Sequence, residues 1–265
     1  MASEKTGPSF LDKFAEVSAK VGNQVHLRSL RDAFATVSPI YILAGVAVLI
    51  NNVLFPWIFG GDAETLAKFQ TWGASIAQGT LSFSAVILAG IIGYCLARNK
   101  RFDNAISCVV IGIASLIIMM PQTIVATAGA ALHAASAVDK TAAPLTVPMK
   151  DLILNFPPNY EISGVDVTGV FSSSYTGTNG LFGAIIIGLL ATTLFIKLSS
   201  IKRLKVNLGE GVPPAVADSF NTMIPMMLTL SVFALAAALL SVFFSTNLMA
   251  LIATGISAPL KGLMN

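Results

Sequence analysis

Charge is what this sequence has least of. Of its 265 residues only 11% are Asp, Glu, Lys or Arg, while 55% are hydrophobic; a soluble domain carries about 25% charged residues. The shortage is also localised, because no charged side chain occurs in residues 33–61, 69–97, 104–138, 167–196 or 219–260. Each block exceeds the roughly 20 apolar residues that a helix needs to cross a bilayer. One buried core helix could explain one block, but five would leave too little polar surface for a soluble domain. The expected fold is therefore all-α: a polytopic membrane helical bundle of about five transmembrane helices, with interfacial amphipathic helices and a small extracellular hairpin loop.

Other absences narrow the chemistry. Cys95 and Cys108 are the two cysteines, both inside apolar blocks, which excludes a disulfide framework and any metal-binding spacing. His26 and His133 have no second His, Cys or Asp at ligand spacing, so neither metal nor cofactor is expected. No phosphate loop ending in Gly-Lys-Ser/Thr occurs, which excludes ATP hydrolysis by this chain. No ionisable residue lies near the centre of a span, which argues against a proton-driven carrier, since a relay needs a titratable group.

The cations that are present sit between the blocks, a topology signal rather than a nucleic-acid surface. Twelve of the sixteen precede the first span (Lys5, Lys13, Lys20, Arg28, Arg31), follow the second (Arg98, Lys100, Arg101) or follow the fourth (Lys197, Lys202, Arg203, Lys205). Lys68, Lys140, Lys150 and Lys261 fall on the other side. The excess predicts a cytoplasmic N-terminus.

Along the chain, residues 1–32 read as a cytoplasmic amphipathic segment, with Phe10, Phe14, Val17 and Val21 at helical spacing. A transmembrane domain is expected over 33–246, with spans near 37–59, 79–97, 104–126, 180–198 and 219–246. Trp57 suits an interfacial anchor, and Pro121 and Pro225 are kink candidates. The outer loop, about 132–178, ends in an alternation through Ile162, Val165, Val167 and Val170 that suits a hairpin lid. The tail, 247–265, reads as interfacial or re-entrant. Among the amides and hydroxyls inside the blocks, Asn51, Asn52, Gln122 and Thr123 have two readings. They could line a path for a polyhydroxylated solute, or they could form interhelical hydrogen bonds of about 1 kcal/mol each.

Several segments in order resemble one known family. They are Val21-Gly22-Asn23-Gln24-Val25-His26, Leu49-Ile50-Asn51-Asn52-Val53, Gly93-Tyr94-Cys95-Leu96-Ala97, Met120-Pro121-Gln122-Thr123 and Thr178-Asn179-Gly180-Leu181-Phe182. Gly211-Val212-Pro213-Pro214-Ala215-Val216-Ala217-Asp218-Ser219-Phe220 and Ile256-Ser257-Ala258-Pro259-Leu260 complete the series. Together the chain resembles the enzyme IIC membrane subunit of the bacterial sugar phosphotransferase system, in the lactose, cellobiose and diacetylchitobiose group. The resemblance implies a multi-pass protein of the bacterial cell membrane that forms a homodimer through its transmembrane domain. It also implies uptake of a disaccharide while a soluble enzyme IIB supplies a phosphoryl group from a phosphocysteine, a protein-phosphocysteine–sugar phosphotransferase reaction. Asn179 joins the four amide and hydroxyl candidates as a substrate-path residue. Family members carry a C-terminal sugar-binding domain with a Gly-Ile-His-Gly type motif and a glutamate, and neither occurs here. The expectation is a dimerisation half without catalytic residues, not transport-competent alone. A non-transporting scaffold or regulator that pairs with a full-length enzyme IIC is the alternative.

Overall fold

The computed structural model describes residues 24–121, 123–126, 165–168, 173–204 and 214–252, with Gly22, Phe171 and Gly255. The amphipathic helix expected before residue 22, Gln122, most of the outer loop and the end of the tail lie outside them. Contacts divide the chain into two units, residues 1–120 with 173–265, and residues 121–172.

The first unit begins with α1 (Val25–Leu49), which runs through a π-helical turn (Ile50–Leu54) into α2 (Phe55–Phe59). The cations Arg28 and Arg31, expected ahead of the membrane helix, are thus in its first two turns. Pro39 inside α1 leaves the Ala35 carbonyl without its N–H donor. Ser38 Oγ donates to that carbonyl at 3.1 Å, a repair that suits a helix with no water beside it. The π turn sits just ahead of Pro56, whose ring would press on the carbonyl of Asn52 in a regular helix. Phe55 N–H instead donates five residues back to Ile50 O, a wider turn that makes room for that carbonyl.

α3 (Ala63–Thr80) leads through a 3₁₀ turn (Leu81–Phe83) into α4 (Ser84–Asn99). The expected second span was only the latter half of this run. Charged residues near its start read as a loop, yet they build the helix. Asp62 Oδ1 accepts the N–H groups of Glu64 and Thr65 at 3.1 and 3.3 Å, and its Oδ2 accepts from Thr65 Oγ1. Lys68 Nζ donates to Glu64 one turn earlier at 2.7 Å. The Thr65 hydroxyl, then the Thr65 and Glu64 amides, hold the Asp62 carboxyl below its usual range. A depressed carboxyl stabilises fully above the unfolded pKa, near 4, and loses that contribution as pH falls through the folded value. Asp62→Asn should therefore lower the melting temperature at neutral pH, leave it nearly unchanged in strong acid, and so flatten the acid limb of a thermal-melting profile below about pH 4.

α5 (Ala105–Ile118) is capped by Asn104, whose Oδ1 accepts from Ser107 N–H at 3.1 Å. It ends eight residues short of the expected boundary at Ala126. Pro121 lies beyond its end and terminates the helix rather than kinking it, because the residue before a proline is driven out of helical backbone. At 14 residues α5 is about 21 Å long, less than the hydrocarbon thickness of about 30 Å. Four runs are long and apolar enough to cross a membrane: Val25–Phe59, Ala63–Asn99, Thr178–Ser199 and Ser219–Phe244. Among the described residues, α5 is the shorter apolar helix at the place of the third expected span.

α6 (Ser173–Thr176) and a 3₁₀ turn (Thr178–Gly180) precede α7 (Leu181–Ser199); a further turn (Lys202–Leu204), α8 (Pro214–Phe244) and α9 (Leu248–Ile252) follow. Pro214 opens α8, where a missing N–H costs little. Pro225 lies inside it, buried, with its carbonyl accepting from Thr229 Oγ1 at 2.7 Å.

α4 is the central helix of this unit. Ala85, Ala89, Gly93 and Ala97 recur every four residues along it, a spacing that puts them on one face. Against that side lie Cys108 and Ile111 of α5, Ala184, Ile187, Ala191 and Phe195 of α7, and Phe233 of α8. Leu88, Ile92 and Cys95 cover Ala33 and Val37 of α1 on another side. The α4–α5 crossing is so close that a Cβ at Gly93 would strike the Cys108 carbonyl, and one at Gly112 would come within 2.6 Å of Ala89 O. Small residues allow this approach, which strengthens dispersion contacts where lipid offers no hydrophobic driving force.

The second unit holds an antiparallel ribbon of β1 (Thr123–Ala126) and β2 (Val165–Thr168), in register Thr123–Thr168 through Ala126–Val165. The expected alternation at Val165 and Val167 does form a strand. Its partner is residues 123–126, which fall at the end of the expected span 104–126; a short apolar run does not by itself distinguish strand from helix.

Candidate functional site

The five substrate-path candidates fall on different elements of the chain. Asn51 and Asn52 lie in the π turn, Thr123 on β1 and Asn179 in the 3₁₀ turn before α7; Gln122 lies outside the described residues. Asn52 and Asn179 are exposed.

Asn51 is the most constrained. Its backbone carbonyl accepts from Gln70 Nε2 at 3.1 Å. Its side chain fills the space left by Gly73 on α3, where an added Cβ would come within 2.6 Å of Asn51 Cγ. Asn51 Oδ1 is buried without a hydrogen-bond partner among the described residues. An acceptor stripped of water and left unpaired costs about 1–3 kcal/mol. Asn51→Leu should therefore leave thermal stability unchanged or raise it, while Gly73→Ala should lower it by roughly 1–2 kcal/mol as Asn51 is displaced. Unfolding in detergent measures both. If the first variant costs more than the second, the packing account of Asn51 is wrong.

Around this turn, Phe59 stacks on Phe69 at 4.5 Å, and Phe55 meets Phe69 at 5.8 Å and Trp72 at 6.2 Å. Trp57 is 83% exposed, as an interfacial anchor must be.

A second polar centre lies where α1 begins and α4 ends. Asn99 Nδ2 donates to Ser29 Oγ at 3.0 Å and to Asp32 Oδ2 at 3.1 Å. Ser29, fully buried, donates onward to Val25 O at 2.6 Å. Asp32 also accepts from Arg31 at 3.0 Å and stands 4.0 Å from Arg28. His26 Nε2 is hydrogen-bonded to Thr193 Oγ1 at 3.2 Å, so the first turn of α1 is tied to α7 as well. Nothing in the local pattern pointed to this junction, because its members are about 70 and 167 residues apart. Its one signal was the presence of Ser29 and Asp32 at the start of an apolar helix. Among the described residues, no three His, Cys, Asp or Glu side chains gather as metal ligands would.

Comparisons with known proteins bear on the chain as a whole. Residues 31–264 match the family model described as "Phosphotransferase system, EIIC". The oligo-beta-mannoside-specific EIIC component of Bacillus subtilis (strain 168) is 27% identical over 251 residues, covering 93% of this chain and 47% of that protein. A cellobiose-specific EIIC component from Lactococcus lactis subsp. lactis (strain IL1403) is 26% identical over 280 residues, 96% of this chain and 53% of that protein. In fold the chain is similar to the crystal structure of the transporter ChbC, the IIC component of the N,N'-diacetylchitobiose-specific phosphotransferase system. That match has a TM-score of 0.73 at 20% identity and covers 96% of this chain and 52% of the other. The chain spans about half the length of the relatives it matches. With nearly its whole length inside the family model and several apolar helices long enough to cross a bilayer, it is a multi-pass membrane protein that belongs to the phosphotransferase system EIIC family.

Proposed function

We propose that this chain is the helical framework of a sugar permease that takes up a disaccharide of the cellobiose, chitobiose or lactose class with phosphorylation. The carrying observation is the match of residues 31–264 to the EIIC family. Relatives named for cellobiose, lichenan and oligo-beta-mannoside support the substrate class. A soluble EIIB phosphocysteine supplies the phosphoryl group, and the N-terminus faces the cytoplasm with twelve of the sixteen cations. The chain pairs with a second copy through its transmembrane helices, which expose Ile42, Val53, Leu235 and Val242 at 61–75%.

Asn51, Asn52, Gln122, Thr123 and Asn179 line the solute path in this reading, with Asn51 also acting as a packing residue. Phosphoryl transfer needs an oriented acceptor hydroxyl and a base to take its proton. The charge-free blocks contain no such carboxylate, so these helices orient and enclose while the proton is taken elsewhere. In vesicles containing this polypeptide, EIIB and the phosphoryl-donor proteins, radiolabelled cellobiose should be neither accumulated nor converted to a phosphosugar. Formation of the phosphosugar by these 265 residues would falsify the division of labour.

A further inference from the structure

Cations from two chain segments gather at the end of the first unit where α4 and α7 finish. Arg98, Lys100 and Arg101 lie at the end of α4 and in the turn toward α5; Lys197 is in the last turn of α7, and Lys202 and Arg203 follow it. The two segments are held together by Phe102 of the turn, whose ring meets Phe195 of α7 edge-on at 5.8 Å. Arg98 is spoken for in part, since it lies over the Tyr94 ring at 5.9 Å. Arg28 and Arg31 nearby have Asp32 as a counter-ion. None of the six forms a salt bridge among the described residues. Asp103 in the same turn offsets one of the six charges without a salt bridge to any of them, and the remaining excess of cations creates a field that favours an anion from outside.

What borders the cluster decides the kind of anion. Just past the turn, the outer face of α5 presents Ile106 at 74% exposure and Val110 at 49%, one turn apart. Ile201, beside Lys202, is 41% exposed. A free phosphate or an acidic protein would satisfy the charges and leave these aliphatic side chains uncovered. A ligand with an anionic head and a hydrocarbon tail satisfies both.

We propose that the α4–α5 turn and the end of α7 form a binding site for an anionic phospholipid. The phosphodiester sits among Lys100, Arg101, Lys202 and Arg203, and an acyl chain lies along Ile106 and Val110. The cations set the preference for charge and the α5 face retains the tail.

The test is native mass spectrometry of the 265-residue chain in detergent with equal amounts of phosphatidylglycerol and phosphatidylcholine. Retention of phosphatidylglycerol should exceed that of phosphatidylcholine by about tenfold or more. The combined variant Lys100→Gln, Arg101→Gln, Lys202→Gln, Arg203→Gln should bring the two near parity, and Lys68→Gln at a distant position should not. Ile106→Ser should weaken phosphatidylglycerol retention while keeping its preference over phosphatidylcholine. Far-UV circular dichroism of each variant establishes that the helices remain. Equal retention of both lipids by the unaltered chain overturns the proposal. So does displacement of phosphatidylglycerol by millimolar inorganic phosphate, or a four-site variant that loses binding to an acidic protein and keeps its lipid.

Discussion

Gly93→Ala should destabilise this protein by about 3 kcal/mol, the upper end of the usual cost of overpacking a core. The new methyl would meet the Cys108 carbonyl oxygen, with the carbonyl carbon at 2.9 Å and Thr192 Oγ1 at 3.1 Å. The Cys108 atoms are backbone of a facing helix, so no rotamer change relieves that contact and α4 and α5 must separate. Gly112→Ala should act similarly, since its Cβ would stand 2.6 Å from Ala89 O and 3.2 Å from the carbonyl carbon. Both changes push apart one crossing, so the double variant should cost less than the sum of the singles. Gly45→Ala is the contrast. Nothing lies within 4 Å of a Cβ there, and alanine in an exposed helix position stabilises by roughly 0.5–1 kcal/mol over glycine. Equilibrium unfolding in mixed detergent micelles reads all four. An unaffected Gly93→Ala would mean that α4 and α5 do not cross this closely.

Asn99→Leu should be the most damaging single change after the two glycine variants, at about 2–3 kcal/mol. It removes one hydrogen bond to a carboxylate and one to a buried hydroxyl, and bonds to charged groups contribute about 1.5–3 kcal/mol against about 1 for neutral ones. Ser29→Ala removes the bond accepted from Asn99 and the local bond to Val25 O but leaves Asn99 bonded to Asp32, so it should cost about 1–2 kcal/mol. In a double-mutant cycle, Asn99→Leu and Asp32→Ala should show a coupling of at least about 0.5 kcal/mol, as residues of one hydrogen-bond network do. Additive effects would show that Asn99 does not hold Asp32. The start of α1 is otherwise tied by the His26–Thr193 bond, so damage should concentrate in its first turns. Faster amide exchange at residues 26–33, with the α4–α5 core unchanged, is the expected signature.

The membrane helices were legible because charge is costly in hydrocarbon, which leaves a mark that needs no partner to read. Local chemistry misled where it served two purposes. Asp62, Glu64 and Lys68 look like a loop by charge, yet as cap and one-turn ion pair they begin a helix. Residues 123–126 look like the end of a helix by hydropathy, but Pro121 had already ended α5. Asn51 illustrates the limit for site residues. Its amide suggested a solute path, but its surroundings depend on Gly73, on a helix reached only after the chain reverses. A hydrogen-bonding side chain can be named from sequence, while the partner that fixes its role is set by packing.

The contact between α4, α5 and α7 also bears on how such a protein can move. Side chains give packed helices their slack, since a rotamer can turn while two helices slide. Where carbonyl oxygen faces glycine, as at Gly93 and Gly112, that slack is gone and sliding meets an immediate barrier. Gly188 brings α7 nearly as close, with Ala89 O at 3.2 Å from a Cβ placed there. The three helices therefore travel as one piece. Any relative motion among the described helices must be taken up where contact is made by side chains, along α1 and α8.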